Sequence, residues 1–429
     1  MMKNRIALLL VAMLLLPGCQ TNGGQSVEAD ATEPTVTYDW MAGESPISPQ
    51  RTGLERPGLT HADMEVTANG VYFIYDHPYM SLGKTAASPV ILYADHDSDT
   101  VIKLCGRADC THQTQDCNAY IQEGSLLTYY GGYLYALTQD SNGEEDNTLA
   151  SCKLIRMDLD GSNRVEILDV MKYAKENGYT SVSNSLITDG VCLFGMTRHE
   201  EQPDGSTLQI VESFCYPLDG SQAEPWDVGV KGWQLYSCGD VLLTYGDAQN
   251  GGEYGGYYDW DPVTGDMTFL TDHPGAPGYF GAEEAYYFKD GAVRRLTYAT
   301  QEEEILIETG LEGDYYALFF PDCIVVASDA VDDTSDRNLY IYNWTYKLVD
   351  TVEITYPCDL LMTANAIIAE TAQRFILTDH LTNMPRYYIE KSELGTGNVK
   401  LHKFKLPDMD QELQYHEEEI EDTEWLENG

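Results

Sequence analysis

Three cysteines and a histidine fall within 13 residues, as Cys105-Gly-Arg-Ala-Asp-Cys110-Thr-His112-Gln-Thr-Gln-Asp-Cys117. The spacing is C-x4-C-x-H-x4-C. Three thiolates and one imidazole complete a tetrahedral zinc shell with no position left for water, so a metal held this way is structural. The spacing is not that of a zinc knuckle, and it lacks the C-x-x-C-H of covalent haem attachment. Oxidation is the rival chemistry, because an exported chain permits disulfides and any two of the three cysteines can pair. The residues alone leave zinc and disulfide both open.

The other candidates are weaker. Cys152, Cys192, Cys215, Cys238, Cys323 and Cys358 each sit in or beside an apolar strand pattern and read as small buried hydrophobes. Cys192 and Cys215 flank a hairpin pattern whose midpoint falls between Pro203 and Asp204. That register sets them opposite each other, where a disulfide is geometrically possible. Apart from Cys19 the number of cysteines is odd, so they cannot all be bridged. Asp95-His96-Asp97-Ser98-Asp99 begins like a calcium loop, but Thr100 stands where that loop needs Gly and Gly106 where it needs Glu. A polar hairpin turn is the expectation there. Asp329, Asp332, Asp333 and Asp336 form a similar acidic loop, with calcium as the less favoured reading. The remaining histidines are scattered singly, and no G-x-S-x-G elbow occurs, so no catalytic residue is nominated.

The elements that must position these groups are strands. A unit recurs whose second strand is clearest, as Val71–Tyr75, Tyr133–Leu137, Val191–Phe194, Val241–Tyr245, Ala285–Phe288, Cys323–Ala327 and Arg374–Leu377. Gly, Asp and Asn turns separate the strands, as Asn69-Gly70, Gly131-Gly132 and Asp189-Gly190 do. Seven units of roughly 50 residues, each with four short strands, predict an all-β fold. The expectation is a single β-propeller over 59–406 with seven four-stranded blades, beginning near 60, 124, 182, 231, 277, 313 and 358. Only Val165 to Asn177 reads as a helical turn or two. Tyrosine pairs at 129–130, 257–258, 286–287, 315–316 and 387–388 are expected in corresponding strands, packing blade against blade.

Outside the strands lie an address, a spacer and a tail. Lys3 and Arg5 precede an apolar run, Ile6 to Leu16, too short to span a membrane, so 1–18 reads as a signal peptide. It ends in Leu16-Pro17-Gly18-Cys19. That tetrapeptide resembles the lipobox of bacterial lipoproteins, with Pro17 departing from the small residue usual there. The resemblance implies acylation of Cys19. Residues 19–58, rich in Gly, Pro, Ser and Thr, read as a flexible tether in which only Thr35–Trp40 could pair as a strand. Residues 407–429 hold ten acids and no Lys or Arg, a solvated tail. The whole chain has 70 acidic and 25 basic side chains, a net charge of −45. That balance disfavours nucleic acid as a partner and a polybasic grip on anionic lipid.

Arg156-Met157-Asp158-Leu159-Asp160-Gly161-Ser162-Asn163 resembles the repeat of TolB-type propellers. The Cys/His loop is similar to one in propeller lipoproteins of anaerobic Gram-positive bacteria. The resemblance implies a lipid-anchored propeller on the extracytoplasmic face of the cell membrane. The expected role is a binding or scaffold module for a peptide, glycan or protein ligand of unknown identity. The alternative is a hydrolase or lyase whose active site is assembled from blade loops at the propeller axis.

Overall fold

The computed structural model describes residues 37–47, 64–67, 69–75, 89–107, 109–112, 114, 116–121, 126–141, 149–188, 190–203, 205–231, 233–238, 241–246, 256–261, 266–272, 278–313, 315–328, 338–354, 368–378 and 385–407. Cys19, Cys358, the acidic loop from Asp329 to Asp336 and the tail beyond Pro407 lie outside them. Seven four-stranded antiparallel sheets follow one another along the chain, over 64–103, 126–169, 181–231, 233–271, 279–308, 315–353 and 368–403. Within each sheet the strands lie side by side in chain order, which is the meander of a propeller blade. The fold is a seven-bladed β-propeller. The junctions expected near 124, 231, 277 and 313 each precede a first strand by two residues.

Tight turns set the register. Leu126–Tyr130 and Tyr133–Ser141 pair so that Tyr130 faces Tyr133, leaving only Gly131 and Gly132 between them. Both glycines have positive φ, +56° and +85°, the pair of values that a two-residue hairpin loop demands.

The second strands Gly70–Tyr75, Ile324–Ser328 and Arg374–Thr378 are buried along their whole length. They read as continuous apolar runs because a neighbouring blade covers each face. Period-two alternation decides which neighbour a residue meets. In the third blade Cys192, Phe194 and Met196 pack against Leu137 and Leu154 of the second blade. Leu193 and Cys215 pack toward Tyr258 of the fourth. In the fifth blade Ala285 and Tyr287 join Leu270 of the fourth, while Tyr286 and Val293 join Phe319 and Val326 of the sixth. Phe375 and Leu377 of the seventh meet the sixth, and Ile376 with Tyr388 and Phe404 meets the first. Fourth strands form the exposed outer edge, as at Val165–Asp169 and Glu302–Glu308.

Four expectations are corrected. Cys192 pairs with Tyr216, and Cys215 with Leu193. The two cysteines therefore point to opposite faces of their sheet and into different interblade cores, and cannot bridge. The tyrosine pairs do pack between blades, but they occupy first strands (129–130, 315–316), a second strand (286–287) and third strands (257–258, 387–388). The helical stretch shrinks to α1 (Val170–Glu176), capped by the Asp169 carboxylate on the Lys172 N–H, because 165–169 pairs as a strand. Residues 37–47, expected within the spacer, form no strand and instead lie on the blades. There Trp40 packs in the core between the sixth and seventh blades and Ile47 in that between the fifth and sixth. No helix among the described residues is long and apolar enough to cross a membrane.

Candidate metal centre

The Cys/His segment is the connection from the first blade's outer strand, Val101–Lys103, to the second blade's first strand. Both its ends are tied to the first blade's third strand, Val90–Asp95. On the way out, the Leu104 N–H donates to the Ile91 carbonyl at 2.9 Å. On the way back, Ile91 donates to the Ala119 carbonyl at 2.7 Å and Ile121 to that of Pro89 at 3.1 Å. Between these anchors the chain makes two turns, closed by Cys110 N–H to Arg107 O and Cys117 N–H to Thr114 O. His112 takes a left-handed conformation, φ +56°, which reverses the chain between them.

That path gathers the four side chains. The three sulfurs and a nitrogen of His112 all lie within 4.8 Å of one another. His112 Nδ1 is 3.2 Å from Cys117 Sγ. Cys117 is buried in the first blade's core, and the other three are half-buried. Cys105, Cys110, Cys117, Cys152, Cys192, Cys215 and Cys323 are free. The sulfurs are served by backbone donors two residues on: Ala119 N–H to Cys117 Sγ at 3.3 Å, and His112 N–H to Cys110 Sγ. The His112 N–H holds the Cys110 thiol below its usual pKa, whereas burial pushes Cys117 up to about 11.

The second blade clamps this loop from outside. The turn Asp158–Asn163 joins that blade's third and fourth strands. Gly161 there has φ +76°, and a Cβ on it would stand 2.2 Å from the Asn118 carbonyl oxygen, so no other residue permits the approach. Arg164 follows and donates through its two terminal nitrogens to the carbonyls of Tyr120 and Asn118. Asn118 Nδ2 answers with a bond to the Asp160 carbonyl at 3.1 Å. Cys105 and His112 also form one wall of an open cleft of about 650 Å³, with Leu104, Asn118, Asp160 and Leu406 among its other walls.

The four residues singled out by spacing are thus brought together, while Arg164 escaped notice. The one sequence signal for it is its place directly after an acidic Gly turn. Asp95–Asp99 is the polar turn expected, with the Asp97 N–H on the Asp95 carboxylate at 2.9 Å. Its acids serve the ring. Asp99 pairs with Lys405 at 2.7 Å, and across the junction of first and seventh blades the Val101 N–H donates to the Lys405 carbonyl while the Lys405 N–H donates to that of Asp99. A buried trio also went unread: Lys391, between Glu370 at 2.7 Å and Asp322, in a stretch (Glu390-Lys391-Ser392-Glu393) that looks solvated in sequence.

No family model matches the chain, and no curated protein matches it. Among solved structures it is similar to a puromycin hydrolase S511A mutant, at 12% identity and TM-score 0.35, over 82% of this chain and 61% of that one. PorZ, a surface component of the type-IX secretion system of Porphyromonas gingivalis, is similar at 10% identity and TM-score 0.42, over 80% and 38%. The β-propeller domain of the trilobed protease from Pyrococcus furiosus is similar at 11% identity and TM-score 0.32, over 67% and 96%. The chain thus spans about three fifths of the first of these proteins and under two fifths of the second.

Proposed function

We propose that this chain is a lipid-tethered, extracytoplasmic β-propeller that serves as a binding or scaffold module for a peptide, glycan or protein. The observation that carries the reading is the union of two features. One is an export and acylation signal, Ile6–Leu16 running into Leu16-Pro17-Gly18-Cys19. The other is a ring whose blades are packed on both faces, a rigid platform for the loops and clefts at its surface. The placement of the histidines agrees. Among the described residues His96 bonds the Thr67 carbonyl, His199 lies against the Thr180 hydroxyl, and His402 bonds Glu393. Each belongs to a local contact in its own blade. The net charge of −45 favours a neutral or basic ligand over an anionic one.

The test is a titration of the full chain against immobilised peptide and glycan panels, with mass spectrometry of the ligand afterwards. The reading expects saturable binding with the ligand recovered unchanged. Conversion of a bound peptide or glycan would replace it with an enzyme whose site is built from blade loops.

A further inference from the structure

We propose that Cys105, Cys110, His112 and Cys117 bind one Zn²⁺ in a closed tetrahedral site that staples the connection between the first and second blades. Zn–S bonds of about 2.3 Å and a Zn–N bond of about 2.0 Å place tetrahedral ligand atoms roughly 3.5–3.8 Å apart. The sulfurs and the imidazole nitrogen already lie within 4.8 Å of one another, and His112 Nδ1 and Cys117 Sγ are at 3.2 Å. The metal therefore requires the widest pair to close by no more than about 1 Å. A disulfide would instead place two sulfurs at about 2.05 Å and leave the third cysteine and His112 outside. All four groups converge and all three cysteines are free.

Two sulfurs accept backbone N–H bonds, from His112 and Ala119, as metal-bound thiolate sulfurs do. Binding converts three thiols to thiolates and releases three protons to solvent, so the zinc complex carries one net negative charge. Arg164, held against the carbonyls of Asn118 and Tyr120, places a fixed positive charge beside Cys117 and offsets it. The donor set selects the metal class. Soft sulfur with one imidazole suits zinc, and among the described residues no carboxylate joins the cluster to favour calcium or magnesium. Four protein ligands leave no open position, so the site is structural and activates no water. Its work is to fix the wall that Cys105 and His112 present to the adjoining cleft.

The experiment uses the full chain, purified anaerobically without a polyhistidine tag from zinc-supplemented culture, with elemental analysis and cobalt(II) titration. The proposal expects about one zinc per chain and, on cobalt exchange, thiolate charge-transfer absorption with tetrahedral d–d bands. Cys110→Ser should abolish that signal, and Arg164→Gln should weaken zinc binding about tenfold. Cys152→Ser, a buried cysteine in another core, should keep parental stoichiometry. Should Cys110→Ser fail to fold, the cobalt spectrum of the parent decides alone. Less than about 0.1 equivalent of zinc with no tetrahedral cobalt spectrum overturns the proposal. So does protection of two loop thiols from alkylation until reductant is added.

Discussion

Lys391 is a lysine with almost no exposure, and its neighbours explain why it stays charged. Its ammonium lies 2.7 Å from Glu370, also meets Asp322, and stands 5.1 Å from the Phe375 ring centre. Burial pulls its pKa down, but the two carboxylates more than offset that and leave it raised. Glu370 is the strained partner. Burial, only partly countered by Lys391, pushes its carboxyl up to about 7, and its Oε2 finds no hydrogen-bond partner among the described residues. The folded chain therefore holds a proton on Glu370 more tightly than the unfolded chain, where a glutamate titrates near 4.3. Its contribution to stability is full below that value and is lost as pH rises through about 7. Denaturant midpoints of the parent and Glu370→Gln, measured from about pH 5 to about pH 8, should diverge, with the parent losing more. Parallel curves would contradict this. The trio was illegible in sequence because its members are 21 and 69 residues apart. Cys105, Cys110, His112 and Cys117 were legible because their loop closes within itself; Arg164, which acts across 44 and 46 residues, was not.

Among the elements, the segment 37–47 departs most from its sequence reading. Gly, Pro and Ser around it suggest a free spacer, yet Trp40 donates its indole N–H to the Lys391 carbonyl at 2.8 Å and accepts at its own carbonyl from Asn343 at 3.3 Å. Its ring is buried between the sixth and seventh blades. Trp40→Ala should cost about 3–5 kcal/mol while leaving the far-ultraviolet β spectrum intact. A loss under about 0.5 kcal/mol would show that the segment adds nothing to the ring. Second strands were readable because burial on both faces makes them continuous apolar runs. Register was not. The observed pairing of Glu201 with Thr207 leaves 202–206, an odd number of residues, in the turn, whereas a Cys192–Cys215 pair requires an even number. That one-residue difference moves each cysteine to a different core.

In the molecule as a whole, each blade is a continuous piece of chain, so among the described residues no strand swapped between the ends locks the ring. Closure falls to the contacts at the junction of first and seventh blades, where the backbone bonds of Lys405 with Val101 and Asp99 are joined by a buried arginine. Arg374 donates to the Ser98 carbonyl at 2.6 Å, pairs with Glu390 at 2.9 Å and lies 4.4 Å from the Tyr388 ring centre. Arg374→Leu leaves a partly buried Glu390 and a free carbonyl, and should cost about 3 kcal/mol. Amide exchange should rise first across 98–104 and 402–405, beside the junction. Uniform exchange over all blades would contradict a closure role. The blade number was legible in the repeats, but the closing contacts were not, since they join residues at opposite ends of the ring's sequence. The proposed tethering of the ring to the membrane rests on Cys19. The most direct measurement is the intact mass and N-terminal sequence of the chain recovered from membranes. The account predicts loss of residues 1–18 and at least two acyl chains on Cys19, since a single chain holds only weakly. A chain that begins elsewhere, or carries no lipid at Cys19, would contradict it.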